Sequence, residues 1–271
     1  MPVVLTHFAG RAGDHSDRAM AASPVLTAVL AERLGAEPIV IGERRPVEPS
    51  EWDEALTVAA PAFAELAGHF DRLFRAGASP VTALSRCAVA LATLPVVATH
   101  RPDAVVVWFD AHADLNTPET TTTGFLGGLA LSGPVGLWDS GWGAGLALAH
   151  VILVGVRDLD PAEQRLVDDG CLTLVTVGAD MDEELRRAIA GRPVYVHIDC
   201  DVLEPGTVPT DYHVPGGMSL AQLNACARAV ARSEVVGVQI AELEADDGDA
   251  GSSAPSRALS DALEPVLQAL S

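Results

Sequence analysis

The chain has 271 residues, 37 acidic against 17 basic, giving a formal charge of -20 at neutral pH. That excess argues against nucleic acid or an anionic membrane surface as a partner, because either would repel it. The length suits a single α/β domain over residues 1–271, large enough to bury a sizeable core, and no stretch is apolar for long enough to span a bilayer.

In chain order, the opening Met1-Pro-Val-Val lacks the basic head and apolar middle of a signal peptide, so a cytoplasmic protein is expected. Ala22 to Leu34 has the apolar spacing of an amphipathic helix and leads into a strand over Pro38 to Ile41. Pro80 to Leu94 reads as a helix after a Gly/Ser turn. The β-branched run Ala104 to Phe109 reads as a buried parallel strand, closed by Asp110-Ala-His112-Ala-Asp114. Beyond it lies a loop rich in threonine and glycine, Asn116 to Gly128, whose position suits substrate binding. His150 to Val156 makes a further strand and runs into Arg157-Asp-Leu-Asp160-Pro. The strand from Val194 is closed by Asp199-Cys-Asp201, and a last short strand, Val235 to Leu243, carries Glu242 and Glu244. An acidic loop over 245–253 and a helix over Ser256 to Leu270 finish the chain. Strands alternating with helices predict a mainly parallel sheet covered on both faces.

The two acidic runs are the chemical signal. Active groups collect at the carboxyl ends of strands in open α/β sheets. Period-two alternation places Asp110, His112 and Asp114 on one side of an extended backbone, and Asp199 and Asp201 likewise. Carboxylates this close repel one another unless a positive charge intervenes. Oxygen donors with one imidazole suit a hard or borderline ion such as Mn²⁺ better than a thiolate zinc site; the alternative is a pair of satisfied strand-end caps. Cys87, Cys171, Cys200 and Cys226 lack the spacing of a disulfide framework or a structural zinc site. Cys200, between two aspartates, is expected to point into a packed layer, and Cys171 and Cys226 to be structural. His197 either supports a ligand or simply packs.

The string from Trp108 to Gly124, with its Asp-Ala-His-Ala-Asp core, resembles the ureohydrolases, the family of arginase, agmatinase and formimidoylglutamase. So does His197-Ile-Asp-Cys-Asp-Val-Leu-Glu-Pro, and the likeness runs from about Arg11 to the Glu242 strand. It implies a three-layer α/β/α arginase-like fold around a central parallel sheet, and a pair of Mn²⁺ ions per chain. By position Asp110 and Asp199 would bridge the ions, Asp114 would complete one site, and His112 with Asp201 the other. A hydroxide shared between the metals would attack the carbon of a guanidino amino acid. Asn116 and Thr123 match residues that hold an α-carboxylate, Asp160 matches the acid that takes the α-amino group with Asp158 preceding it, and Glu242 matches the carboxylate that holds the guanidinium. The same resemblance allows for an oligomer.

The departures bear on the substrate. Where the family reads Gly-Gly-Asp-His-Ser, this chain reads Leu84-Ser-Arg-Cys87, so a cysteine takes the place of a histidine ligand. Cys87 is then either a softer ligand or a buried helix residue that leaves one ion a ligand short. Gly127 stands where arginases carry a proton-shuttling histidine, a loss on the order of a hundredfold in rate, and the missing imidazole is read as opening space beside the metals. Phe125 replaces a polar contact to the carboxylate, and Glu204 conserves the charge of an aspartate. His213 falls on a loop near the metals, where it could replace the lost acid. Extra room and a missing shuttle suit a substrate bulkier at its guanidine end and less basic than arginine. The expected reaction is hydrolysis of Nω-hydroxy-L-arginine to L-ornithine and hydroxyurea. A conventional arginase or other guanidino- or formimidoyl-hydrolase, and a catalytically impaired, metal-poor relative, are the alternatives.

Overall fold

Alternate residues of the run at 105–109 serve different layers: Val105, Val107 and Phe109 join one buried cluster, Val106 and Trp108 another. Burial on both faces is what a parallel strand covered by helices requires. The same pattern recurs across the sheet of the computed structural model, which describes residues 2–48, 50–245 and 251–270.

Strand β1 (Val3–Phe8) is followed by α1 (Arg18–Leu34), β2 (Ile39–Ile41), α2 (Trp52–Arg75) and β3 (Ser79–Ala83). Next come α3 (Ala90–His100), β4 (Val105–Phe109), β5 (Val151–Val154), α4 (Pro161–Asp168) and β6 (Thr173–Val175). The chain ends with α5 (Met181–Ile189), β7 (Val194–Asp199), α6 (Leu220–Val230), β8 (Val235–Ala241), α7 (Ala254–Ala262) and α8 (Glu264–Ala269). Across the sheet the order is β2-β1-β3-β8-β7-β4-β5-β6, and all pairings described are parallel. Helices α1, α5, α6, α7 and α8 cover one face, α2 and α3 the other. The three-layer α/β/α fold expected from the sequence is therefore the fold observed. No helix among the described residues is long and apolar enough to cross a membrane.

Three readings of the sequence need correction. Pro80 to Leu94 is not one helix: 79–83 form the fully buried strand β3, and α3 begins only at Ala90. A short apolar run does not by itself distinguish a buried strand from a helix. Pairing with β1 and β8 decides it, and on β8 Gly237 accommodates the Pro80 ring, since a Cβ there would come within 2.9 Å of it. The C-terminal helix is split in two at Leu263, where Pro265 lacks the N–H that a continuous helix would use. The strand expected over 235–243 stops at Ala241, because Glu242 adopts a left-handed backbone with φ of 62°. Helix α2, with Pro61 inside it, is absent from the sequence reading, and residues 246–250 of the acidic loop lie outside the described residues.

This topology aligns the carboxyl ends of β3, β8, β7 and β4 side by side. Cys87 follows the first, Glu242 the second, Asp199 ends the third and Asp110 follows the fourth.

Candidate active site

Asp110 is fully buried, and both its oxygens are engaged. Oδ2 accepts the Trp108 indole N–H at 2.9 Å, and Oδ1 accepts the His112 backbone N–H at 2.7 Å. Asp199 Oδ1 accepts the Asp201 N–H at 2.8 Å, and Asp201 Oδ1 accepts the Ala111 N–H at 3.0 Å, which ties the two acidic runs together. The acids are thus gathered by tight turns. Period-two alternation does not continue past the strand end, and Asp114 reaches the same cavity through a left-handed backbone, φ 53°. That conformation costs little for aspartate compared with a β-branched residue.

Cys87 opens a short 3₁₀ turn before α3 and is buried. Its Sγ lies 3.1 Å from Asp199 Oδ2 and 3.0 Å from His197 Nε2. It is both a buried residue and a neighbour of the acids. His197 does more than pack. Its ring stacks on Trp108 with centroids 3.5 Å apart, and its Nδ1 lies 2.7 Å from Gln239 Nε2. Thr93 and Tyr195 hydroxyls both donate to Gln239 Oε1, at 2.8 and 2.9 Å, so the amide turns its N–H to Nδ1. Burial pushes His197 down to about 3, leaving the ring neutral. Its own proton then sits on Nε2 and faces the Cys87 sulfur, a contact that orients the thiol.

The cluster carries more negative charge than burial tolerates. Desolvation, and then the adjacent Asp201, raise Asp110 to about 7; burial and neighbouring carboxylates raise Asp114 and Asp199 as well. Burial opposes charging of His112, yet hydrogen bonds and attraction from Asp110 and Asp201, with Nδ1 3.1 Å from Asp201 Oδ2, outweigh it and push the ring up to about 12. A cation is what this arrangement calls for. Three donor sets with atoms within 4.8 Å of one another occur among the described residues: Asp110, His112 and Asp201; Cys87, Asp199 and Glu242; Cys87, Asp110 and His197. Carboxylate oxygens joined by one thiol and imidazole nitrogens fit divalent ions. Asp114 lines the cavity but belongs to none of these sets.

Glu242 Oε1 accepts the Cys87 N–H at 2.8 Å, and Oε2 accepts from Arg86 Nη1 at 2.6 Å. Burial raises its carboxyl to about 7 in spite of Arg86. No motif or spacing singles out Arg86, although an arginine inside the apolar 79–94 stretch is a detectable anomaly. Buried charges are rare unless paired.

The cavity has a volume of about 200 Å³. Cys87, His112, Asp114, Asp199, Asp201 and Glu242 line it together with Asn116, Thr123, Asp158 and Asp160. Asp110 lies beneath the surface. Asn116 Nδ2 donates to Asp160 Oδ2 at 2.8 Å, and its Oδ1 accepts the Thr120 hydroxyl at 2.9 Å, so the Thr-rich loop and the start of α4 meet at one point. Thr123 Oγ1 accepts the Phe125 N–H at 3.2 Å.

Two expectations fail here. The space at Gly127 is not open: a Cβ there would come within 2.4 Å of Phe125 Cε1, so the phenyl ring fills the volume a side chain would need. The departures at 125 and 127 are therefore one change. His213 is exposed and does not line the cavity; its neighbour Tyr212 does, with its ring edge-on to His112 at 5.2 Å. Phe125 contacts both Tyr212 and His15, with centroids 6.1 and 4.2 Å apart. Cys200 is buried in the core cluster as expected.

A profile of the arginase family matches residues 45–261. The chain is 40% identical to an N(omega)-hydroxy-L-arginine amidinohydrolase of Streptomyces lavendulae, over 87% of this chain and 86% of that protein. It is 27% identical to an arginase of Bacillus caldovelox, over 76% and 74% respectively. Among solved structures, an arginase from Bacillus subtilis superposes with a TM-score of 0.83 at 20% identity, covering 98% of each chain.

Proposed function

Because the chain belongs to the arginase family, we propose that it is a binuclear manganese amidinohydrolase converting Nω-hydroxy-L-arginine to L-ornithine and hydroxyurea. Hydrolysis of C–N bonds in linear amidines comes with the family. The substrate and the ion are the proposal, as is the reading of residues 1–271 as one catalytic domain.

The observation that carries it is a single cavity in which the buried acids meet Asn116, Thr123, Asp158 and Asp160. Cys87, Asp110, His112, Asp114, Asp199 and Asp201 would hold the ions. When bound, a pair of divalent ions acidifies water and stabilises charge developing at the attacked guanidino group. The remaining work falls to the chain. Asp160 offers a carboxylate to the α-ammonium group, while Asn116 retains a second amide N–H and Thr123 a hydroxyl proton for the α-carboxylate. Glu242 accepts N–H groups of the guanidino end. Phe125, lying over Gly127, excludes water from that side.

Hydroxyarginine is favoured over arginine on two grounds. The relative bearing that substrate in its name is the more similar of the two, over most of both chains. Glycine at 127 also provides no acid for a departing amine, which weighs most heavily on a strongly basic substrate. The test is ornithine release in Mn²⁺ from hydroxyarginine, arginine and agmatine. Hydroxyarginine should lead in kcat/KM by about a hundredfold, the contribution of one positioned acid, and agmatine should be inert. Comparable turnover of arginine would sink the reading. Metal analysis should return about two ions per chain, as the two-metal mechanism requires.

A further inference from the structure

Arg86 exposes no surface, and its guanidinium lies among four carboxylates. Nη1 is 2.6 Å from Glu242 and 3.3 Å from Asp211, Nη2 is 3.2 Å from Glu244, and Nε is 3.4 Å from Asp14. An arginine does not shed its proton in a protein. A permanent positive charge therefore sits directly behind Glu242.

The other buried acids have further partners of their own. Glu244 also meets Arg18 Nε at 3.3 Å, and Asp14 accepts the Ala12 N–H at 2.9 Å. Glu242 differs from both in lining the cavity, while Arg86 does not reach it. We propose that Arg86 is a specificity-determining positioning residue: pairing with Glu242 inside the protein cancels the charge that this carboxylate would present to a guanidino group. The proposal rests on the hydroxyarginine reading of the site.

The physical argument is one of charge. A carboxylate engaged by one guanidinium keeps lone pairs for neutral N–H donors. A second guanidinium brought to the same carboxylate meets the first across a desolvated gap, and like charges there repel strongly. A neutral hydroxyguanidine escapes that repulsion; cationic arginine does not. Arg86 Nη1 on Oε2 at 2.6 Å and the Cys87 N–H on Oε1 at 2.8 Å together fix the Glu242 rotamer.

The experiment compares kcat/KM for arginine and for hydroxyarginine in the metal-loaded wild type, Arg86→Gln, Arg86→Lys and Glu244→Gln. Arg86→Gln should raise the arginine-to-hydroxyarginine ratio about tenfold, the worth of one charge-assisted contact, mainly through KM for arginine. Arg86→Lys keeps the charge and should restore most of the wild-type ratio. A purely structural role would lower both substrates together and leave the ratio unmoved. If Arg86→Gln does not fold, Glu244→Gln decides: removing the competing acid commits Arg86 more fully to Glu242 and should lower the ratio. An unchanged ratio in the folded variants overturns the proposal. A wild type inactive on hydroxyarginine overturns the site reading itself, a different and separately visible failure.

Discussion

Asp110, Asp199, Asp201 and Glu242 at the floor of the cavity are each held by backbone or indole N–H groups at 2.7 to 3.0 Å and are at most 5% exposed. Phe125, Tyr212 and His15 at its rim meet through ring contacts at 4.2 to 6.1 Å, partly in solvent. The floor is thus over-determined, with each acid tied to two strands or to its own turn, while the rim is a matter of shape. Changes at the floor should remove function and stability together. Changes at the rim should redirect specificity at small cost.

The largest effect expected is at the floor. Asp199→Asn should abolish hydrolysis and lower the bound metal, measured by kcat and metal content per chain. In the wild type, chelation should cost about 2.7 kcal/mol if the ion is normally present at a hundred times its Kd. For a chain of this length that is a fall of about 5 °C in Tm, read by calorimetry before and after metal is restored. A Tm indifferent to chelation would mean that the acids satisfy one another without a cation.

One step out from the buried acids, Trp108→Phe keeps the stacking surface against His197 but removes the N–H that Asp110 accepts. Metal affinity should fall about tenfold to a hundredfold, followed by competitive titration. Unchanged affinity would show that Asp110 needs no such anchor, and the contrast with the rim would weaken.

At the rim, Gly127→Ala drives a methyl into the Phe125 ring and should cost about 1 to 3 kcal/mol by overpacking. Combining it with Phe125→Ala should recover most of that loss, a coupling that a double-mutant cycle in denaturant measures. Additive losses would separate the two departures again. The smallest effect belongs to His213→Ala, a surface change outside the cavity. It should alter stability by no more than about 0.5 kcal/mol, and kcat by less than about twofold. A large fall in kcat would return His213 to the chemistry.

Several features of the molecule were legible in the residues. Asp110, His112, Asp199 and Asp201 announce themselves because they close apolar, β-branched runs, and both the run and its polar stop are local properties. The alternation of Val105, Val107 and Phe109 with Val106 and Trp108 is likewise local, and it specifies a strand buried on both faces. Three features were not legible, because each is decided by packing in three dimensions rather than by a local pattern. Residues 79–83 are a strand because β1 and β8 pair with them. Phe125 fills the volume at Gly127, which composition alone makes look empty. Tyr212 rather than His213 faces the cavity, because one residue of loop register reverses which side chain points inward.

The sequence by itself therefore determined the sheet class, the acids at the strand ends and the family, because strand periodicity and short motifs are encoded within a few residues. Only the tertiary structure decided what surrounds those acids. Arg86 behind Glu242, and the chain of hydrogen bonds from Gln239 through His197 to Cys87, join side chains 42 to 156 positions apart. Buried charge and hydrogen-bond polarity are settled by the groups within a few ångströms, and no local pattern records which those will be.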